Sequence, residues 1–453
     1  MSYGITAYGT YLPAHRVPHA GIGATLGTNA GKGSRVVASY DEDSTTMGVA
    51  AAASALPAGA DAVALYFATT TPAYADKTNA TAIHAALNLP ESCFAVDLAG
   101  SARSGVAALR AAAASGGLAV LADVRVGRPG SADERGGGDG AAAFLFGPDP
   151  IAEIIAESSM TAEFLDRWRD PLAQTGTQWE ERFGVQRYQP LIDRAVSAVL
   201  AEAGIAEADH VVLVSPNLAV AKRAAFALPG KLSTTNSPIG HAGAADIGVA
   251  LAATLDIATP GETVLLVSAA DGCDAWVLRV TDRLAEGRQR ISVADQLAAG
   301  TPVPYPSYLV WRGILDREPP RRPEPDRVAA PPSARAVRWK YSLIGSRCAA
   351  CDLVQLPPAR ICKRCGAIDE LTAVSMAYRQ ATVATFTVDR LAYSPAPPVV
   401  EAVVDFEGGG RYTLEIADGG ADRLAVGARV ETVFRRLHSA GGVHNYFWKA
   451  RVI

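Results

Sequence analysis

Four cysteines carry the plainest chemistry in the chain. Cys348 and Cys351 stand two residues apart, ten residues follow, and Cys362 and Cys365 repeat the spacing. Two such knuckles deliver four thiolates to one tetrahedral Zn²⁺, and a small ribbon with little core needs that staple. The alternative is a ribbon that keeps its cysteines without metal. A second address is the stretch 94–105, read as a buried apolar strand over 94–98, a run of very small residues that includes Ser101, Ala102 and Ser104, and a helix from about 106 to 113. Unpaired amides at a helix start attract developing negative charge, and small side chains admit a substrate close to the backbone. Tight helix packing would use the same run equally well. The stretch contains no cysteine.

The elements around these residues set the frame. With 453 residues the chain is long enough for two or three domains, and 49% of it is apolar. A net charge of −4 supplies no basic field for nucleic acid or anionic lipid. The N-terminus shows no basic segment followed by an apolar one, and no apolar run reaches membrane-spanning length, so a cytoplasmic protein is expected. Six cysteines, four of them in one short segment, point to metal in a reducing compartment rather than to disulfides.

In chain order, a strand is expected at 4–9, and the acidic and hydroxyl residues of 39–47 precede an Ala-rich helix over 48–56, where capping is preferred to a catalytic carboxylate. A strand at 62–68 ends in hydroxyls that include Thr70, followed by a helix at 79–87, the place where open α/β sheets hold ligands. Strands follow at 94–98, 118–124 and, after a glycine turn, 141–146. Residues 160–185, with Phe164, Trp168, Trp179 and Phe183, predict amphipathic helices over the body. The order then repeats: helix 191–203, strand 211–215, helix 218–226, loop 233–245, a helix, strand 263–268, and strand 275–280, which matches 141–146. An internally duplicated α/β fold is predicted.

On the segments 39–43, 67–77, 94–105, 138–142, 179–184 and 240–248, residues 1–283 resemble the thiolase superfamily, and most of all 3-hydroxy-3-methylglutaryl-CoA synthase and its ketoacyl-synthase III relatives. The resemblance implies a duplicated, five-layered αβαβα fold, a homodimer and a tunnel for the pantetheine arm of an acyl-CoA substrate. It also implies a changed site. Ala102 falls at the family's cysteine nucleophile, Val214 at its histidine with Pro216 and Asn217 retained, and Thr70 near its general-acid glutamate. Covalent catalysis needs an activated nucleophile and a base, so condensation through an acyl-enzyme is not expected. His241 stands where the synthase relatives carry an asparagine on an oxyanion loop, and its surroundings are similar to the Gly-His loop of thiolases. A neutral imidazole there could polarise a carbonyl or move a proton; a histidine fixed by loop hydrogen bonds is the plainer reading. The candidate catalytic residues are His241, Ser101 and Thr70, and the candidate substrate-binding residues are Ser104, Asn217 and Gly240. What these imply together is an acyl-CoA-binding enzyme that makes or breaks a carbon–carbon bond by aldol or Claisen-type chemistry without the usual cysteine. The alternative is a catalytically silent scaffold that bridges a thiolase-type partner and channels an acyl-CoA intermediate.

Residues 284–340 are expected to form a helical, Pro-rich connector, 341–370 the zinc ribbon, and 371–453 a small five-stranded barrel with strands near 381–388, 399–406, 412–416, 429–434 and 446–452. This half resembles the zinc-ribbon and OB-fold proteins that accompany thiolase-like enzymes, which implies a role in bridging such subunits or closing an acyl-CoA site. An OB-fold can bind nucleic acid, but the near-neutral charge balance argues against it here.

Overall fold

In the computed structural model, which describes residues 4–29, 31–57, 60–225, 228–235 and 237–453, the apolar runs become the strands of a duplicated sheet. Met1, Ser2 and Tyr3 of the N-terminal reading, Phe226 of the predicted helix 218–226, and Asn236 of the predicted loop lie outside the described residues. By contacts the chain forms two units. One holds the residues up to Ala38, Asp43–Thr81 and Pro90–Tyr308; the other holds Ser39–Glu42, Ala82–Leu89 and Leu309–Ile453.

The first unit contains β1 (Gly4–Tyr11), α1 (Ser44–Ala55), β2 (Ala64–Thr69), β3 (Phe94–Ala99), α2 (Ser104–Ser115), β4 (Leu118–Asp123) and β5 (Gly140–Gly147). The pattern then recurs as β6 (Ala152–Met160), α3 (Glu181–Ala203), β7 (Ala208–Val214), α4 (Leu218–Ala225), β8 (Gly230–Thr235), α5 (Asp246–Leu255), β9 (Thr263–Ser268) and β10 (Cys273–Val280). The ten strands run in the order β8-β7-β9-β10-β6-β1-β5-β4-β2-β3. Each strand of the first half thus has its counterpart five strands later, mirrored about the β1/β6 junction, where Ile5 pairs with Ala152. Parallel and antiparallel neighbours match as well: β2 is parallel to β3 and β4, and β7 to β8 and β9.

Helices α2 and α5 lie against each other and against strands of both halves, while α1 covers the outer side of the first half and α3 and α4 that of the second. This is the expected αβαβα layering. Small residues make the centre possible: a Cβ added to Gly105 would sit 2.3 Å from the carbonyl oxygen of Ala244, so α2 can approach that backbone only without a side chain there. Val106, Leu109, Ile247, Val249 and Leu251 join strand residues of both halves in one apolar core.

Several expectations change. The stretch 94–98 is not a buried strand: β3 is an edge, and Phe94 is 59% exposed, because on one side it has no neighbour to pair with in the sheet. Residues 160–185 do not form helices throughout; Arg167–Trp168 pairs with Thr177–Gln178 as a short hairpin, and the aromatics pack on one another, with Trp168 and Trp179 rings 5.8 Å apart. Helix α3 starts ten residues before the predicted one and runs through Pro190, which removes only one helical N–H bond. The predicted loop 233–245 begins as strand, since β8 continues to Thr235. Strand β6 is not anticipated at all, its Glu and Ser residues masking the pattern. The stretch 284–308, expected as connector, belongs to the first unit: Gln289 and Gln296 bond Thr10 on β1 at 2.8 Å.

Helix α1 begins earlier than expected because Asp43 and Thr46 form a reciprocal capping box, each side chain accepting the other's backbone N–H at 2.9 Å. Asp41 and Glu42 do not cap it. They belong to the second unit, where they face cations of the barrel.

That unit carries the helices α6 (Ala330–Arg335) and α7 (Val337–Ser342), a three-stranded ribbon of β11 (Ile344–Cys348), β12 (Val354–Gln355) and β13 (Leu371–Ser375), and a barrel of β14 (Gln380–Asp389), β15 (Val399–Phe406), β16 (Arg411–Glu415), β17 (Arg429–Ala440) and β18 (Val443–Val452). Strand order is β16-β15-β14-β17-β18, and the Ala417 N–H donates to the carbonyl of Ala450 at 2.8 Å, joining the two ends of the sheet into a barrel. Trp448, Phe434, Val404 and Ala402 fill its interior. One wall holds buried ions. Lys449 Nζ lies 2.9 Å from Asp41 and also bonds Glu415, while Arg435 lies 3.1 Å from Glu42 and 3.3 Å from Asp418. Burial works to raise the pKa of Asp41, but Lys449 and Arg435 override it and hold the carboxyl below its ordinary value. Burial, joined by Asp418 and Asp41, pushes Glu42 up despite Arg435.

Candidate functional site

A small hollow opens at the carboxyl ends of β7 and β9, where α/β sheets hold ligands. Its walls are Ala102 before α2, Val214 at the end of β7 with Ser215 and Pro216 beyond it, His241 and Gly243 on the loop into α5, Asp246 and Ile247 on α5, and Ser268 at the end of β9 with Ala270 beyond it. It is small, with room for about one water or one reacting oxygen.

His241 is the histidine of this hollow. It is 5% exposed, and its Nδ1 lies 3.1 Å from Asp246 Oδ2. The other Asp246 oxygen accepts the Ser237 N–H at 2.9 Å, so one carboxylate orients both the ring and its loop. A carboxylate at Nδ1 fixes the proton on that nitrogen and leaves Nε2 as the basic atom. Burial lowers the imidazole pKa from its ordinary value, Arg125 and Arg167 add to the effect, and Asp246 opposes it. The backbone is held as firmly: the His241 N–H donates to Gly136 at 2.8 Å, and its carbonyl accepts from Gly138 at 3.2 Å. Gly240 sits at φ +86°, and a Cβ there would lie 2.4 Å from the Gly136 carbonyl, so its place is structural support for this crossing of loops.

The other sequence candidates lie outside the walls. Thr70 gives its N–H and hydroxyl to Asp123 at 2.7 and 2.9 Å. Asp123, fully buried, also takes the hydroxyls of Thr69 and Thr71 and the N–H of Ala244 at 2.6 Å, which ties Thr70 to the turn that follows His241. The side-chain oxygen of Asn217 accepts the N–H groups of Ala219 and Val220 at the start of α4, and its amide faces Asp166 at 3.3 Å, so the whole side chain is engaged in a cap. Ser101 Oγ accepts the Arg103 N–H at 3.3 Å, and Ser104 opens α2. Ser215, Asp246 and Ser268 escaped sequence reasoning. Only Asp246 had a signal, a carboxylate five residues after His241 at a helix start. Arg103 was also overlooked; it spans the two halves, bonding Asp274 at 2.8 Å and the Asp271 carbonyl at 2.9 Å.

The second centre is in the ribbon. The sulfurs of Cys348, Cys351, Cys362 and Cys365 all lie within 4.8 Å of one another, with Cys348 to Cys365 at 3.6 Å and Cys351 to Cys362 at 3.5 Å. Zn–S bonds of about 2.3 Å in a tetrahedron put sulfurs about 3.8 Å apart, so the donor set fits that ion. Backbone N–H groups of Cys365 and Arg364 lower the Cys362 thiol to about 6, towards the thiolate a metal requires.

Comparison with known proteins finds relatives for the sheet and, separately, for the ribbon and the barrel. Residues 340–369 match the model for the rubredoxin-like zinc ribbon domain of ChsH2, and residues 376–435 that for its C-terminal OB-fold domain. The hydroxymethylglutaryl-CoA synthase of Archaeoglobus fulgidus is 30% identical over 336 residues, covering 68% of this chain and 98% of the relative; that of Aeropyrum pernix is 31% identical, covering 69% and 95%. Among solved structures, an HMG-CoA synthase complexed with CoA superposes with a TM-score of 0.61 at 16% identity, covering 70% of this chain and 92% of that one. The 3-oxoacyl-(acyl carrier protein) synthase III of Pseudomonas aeruginosa gives 0.52 at 21% identity, covering 62% and 98%. With near-complete coverage of those synthases, a sheet duplicated about β1 and β6, and a ribbon and barrel appended beyond it, the chain belongs to the hydroxymethylglutaryl-CoA synthase family.

Proposed function

We propose that the first unit binds a CoA thioester and makes or breaks a carbon–carbon bond by aldol or Claisen-type chemistry, with no acyl-enzyme, using His241 as acid and base. The His241–Asp246 pair, set in the wall of a hollow whose nucleophile position is Ala102, carries this reading. CoA is the cofactor bound by a solved relative, and the acyl thioester is the substrate class proposed here. In the cleavage direction Nε2 of His241 takes the hydroxyl proton of a β-hydroxyacyl-CoA. The Cα–Cβ bond breaks, its electrons form the thioester enolate, and the imidazolium returns the proton to that carbon. Asp246 holds the ring in the tautomer this requires. Thr70, Ser101 and Ser104 act behind the walls, Thr70 through Asp123.

A structural Zn²⁺ on Cys348, Cys351, Cys362 and Cys365 supplies the fixed point that a ribbon of three short strands needs. Four thiolates kept for a metal suit a reducing, cytoplasmic setting. Among the described residues no helix is long and apolar enough to cross a membrane. Homodimerisation of the first unit is proposed on the unpaired edge of β3 with its exposed Phe94.

The apolar walls Ala102 and Val214 favour a second reading, in which the unit is a silent subunit that serves a thiolase-type partner and passes an acyl-CoA intermediate to it. Turnover of a panel of β-hydroxyacyl- and β-ketoacyl-CoA thioesters, followed by mass spectrometry for the wild type and His241→Ala, separates the two. Catalysis by His241 predicts turnover that falls about 10²- to 10⁴-fold in the variant. No turnover by either protein alone, with equal reaction by both once a thiolase is added, would establish the silent reading.

A further inference from the structure

We propose that Arg125 and Arg169, gathered at Thr70, form a subsite for a second anionic group of the substrate, a carboxylate on its acyl chain or a phosphate of its CoA. This deepens the acyl-CoA reading and rests on it. Arg125 Nη1 donates to the Thr70 hydroxyl at 3.2 Å, and Arg169 Nη2 donates to the Thr70 carbonyl, with Nη1 on the Ala173 carbonyl at 3.0 Å. Both arginines are partly exposed. Among the described residues neither guanidinium has a carboxylate within ion-pair distance, whereas neighbouring Arg167 is paired with Asp133 at 2.5 Å. Asp139 takes the backbone N–H of Arg125, but its charge is matched by Arg35 at 3.2 Å. Asp123, the nearest other carboxylate, is already filled by threonine hydroxyls and backbone N–H groups.

Arg167 and Arg169 crowd Arg125 with like charge, against the carboxylates of Asp123 and Asp133. Burial, together with the like charges of Arg167 and Arg169, lowers the pKa of Arg125, the condition that an arriving anion relieves. The loops that carry Arg125 and His241 are neighbours, since a Cβ on Gly137 would lie 3.6 Å from both Arg125 Cβ and the His241 carbonyl. Two guanidinium forks converging on one residue suit an oxyanion with two or three acceptor oxygens.

Isothermal titration of the full chain tests this in three arms. Glutaryl-CoA is compared with valeryl-CoA, which replaces the carboxylate by a methyl group. Valeryl-CoA is compared with valeryl-3′-dephospho-CoA, and glutarate and inorganic phosphate are titrated alone. A charge-assisted contact predicts a preference of about tenfold for the more anionic member in one of the first two arms, and that arm identifies the source of the anion. The preference falls below about twofold in Arg125→Gln and Arg169→Gln, with Arg169→Lys retaining part of it and Arg110→Gln, on an exposed pair with Glu157, retaining all of it. Equal affinities in both arms for the wild type overturn the subsite even if every variant fails to fold. Valeryl-CoA binding without discrimination would leave the acyl-CoA reading standing and remove only the subsite. If no thioester binds, the acyl-CoA reading fails; glutarate or phosphate binding that is lost in both Gln variants then supports the subsite, and no binding overturns it.

Discussion

The imidazole of His241 is held neutral by its surroundings, and the sign of its pH dependence follows. Burial and the cations Arg125 and Arg167 lower its pKa, so the basic form persists below the ordinary value of about 6.5 and is lost only as pH falls further. The acid limb of a pH–rate profile for thioester turnover should lie below 6.5. In Arg125→Gln it should move up, because a cation that disfavours the imidazolium is gone. In Asp246→Asn it should move down while the rate drops, since the carboxylate both favours the imidazolium and fixes the ring. An acid limb that stays put in all three proteins would remove His241 from the chemistry. Sequence pointed to His241 through the resemblance, as the residue standing where the synthase relatives carry an asparagine on an oxyanion loop. It could not show that Asn217 spends its side chain on a helix cap, nor that Ser268 arrives from a strand 27 positions later, because those depend on which strand ends converge.

At the level of elements, the buried ions of the barrel carry a stability prediction. Arg435→Met takes from Glu42 and Asp418 the cation they share in a wall with almost no solvent, and loss of one member of a buried pair costs about 3–5 kcal/mol. Arg411→Met breaks an exposed pair with Asp405 on the same barrel, outside the buried cluster, and should cost far less. Thermal unfolding of the two variants should therefore separate widely, and similar losses would mean that the cluster is weaker than its burial indicates. The contribution of Asp41, whose carboxyl is held low, is present above its unfolded pKa and is lost as pH falls through the folded one. That of Lys449, whose pKa is raised, is present at neutral pH and is lost in strong alkali. Most strands were legible from apolar runs bounded by glycine and proline, and the repeat of their order disclosed the duplication. The fate of residues 39–43 was only half legible: Asp43 caps as its position suggests, but the partners of Asp41 and Glu42 lie about four hundred residues away.

Across the whole molecule, the ribbon is the part whose four gathered sulfurs call for a metal. Purified protein should contain about one zinc per chain. Removing it with a chelator, or replacing Cys362 by Ser, should open residues 340–369 to proteolysis while the first unit, with its own core, keeps its melting transition. A ribbon equally resistant with and without metal would show that its hydrogen bonds suffice. The arrangement of thiols has a further result. The hollow beside His241 contains no sulfur, and the only cysteines outside the ribbon, Cys93 and Cys273, are buried with raised pKa values, that of Cys273 pushed up to about 12. Thiol-alkylating agents, which silence enzymes that rely on a thiolate, would find only buried thiols of raised pKa in the first unit, so the proposed chemistry should survive a treatment that disables thiolate enzymes.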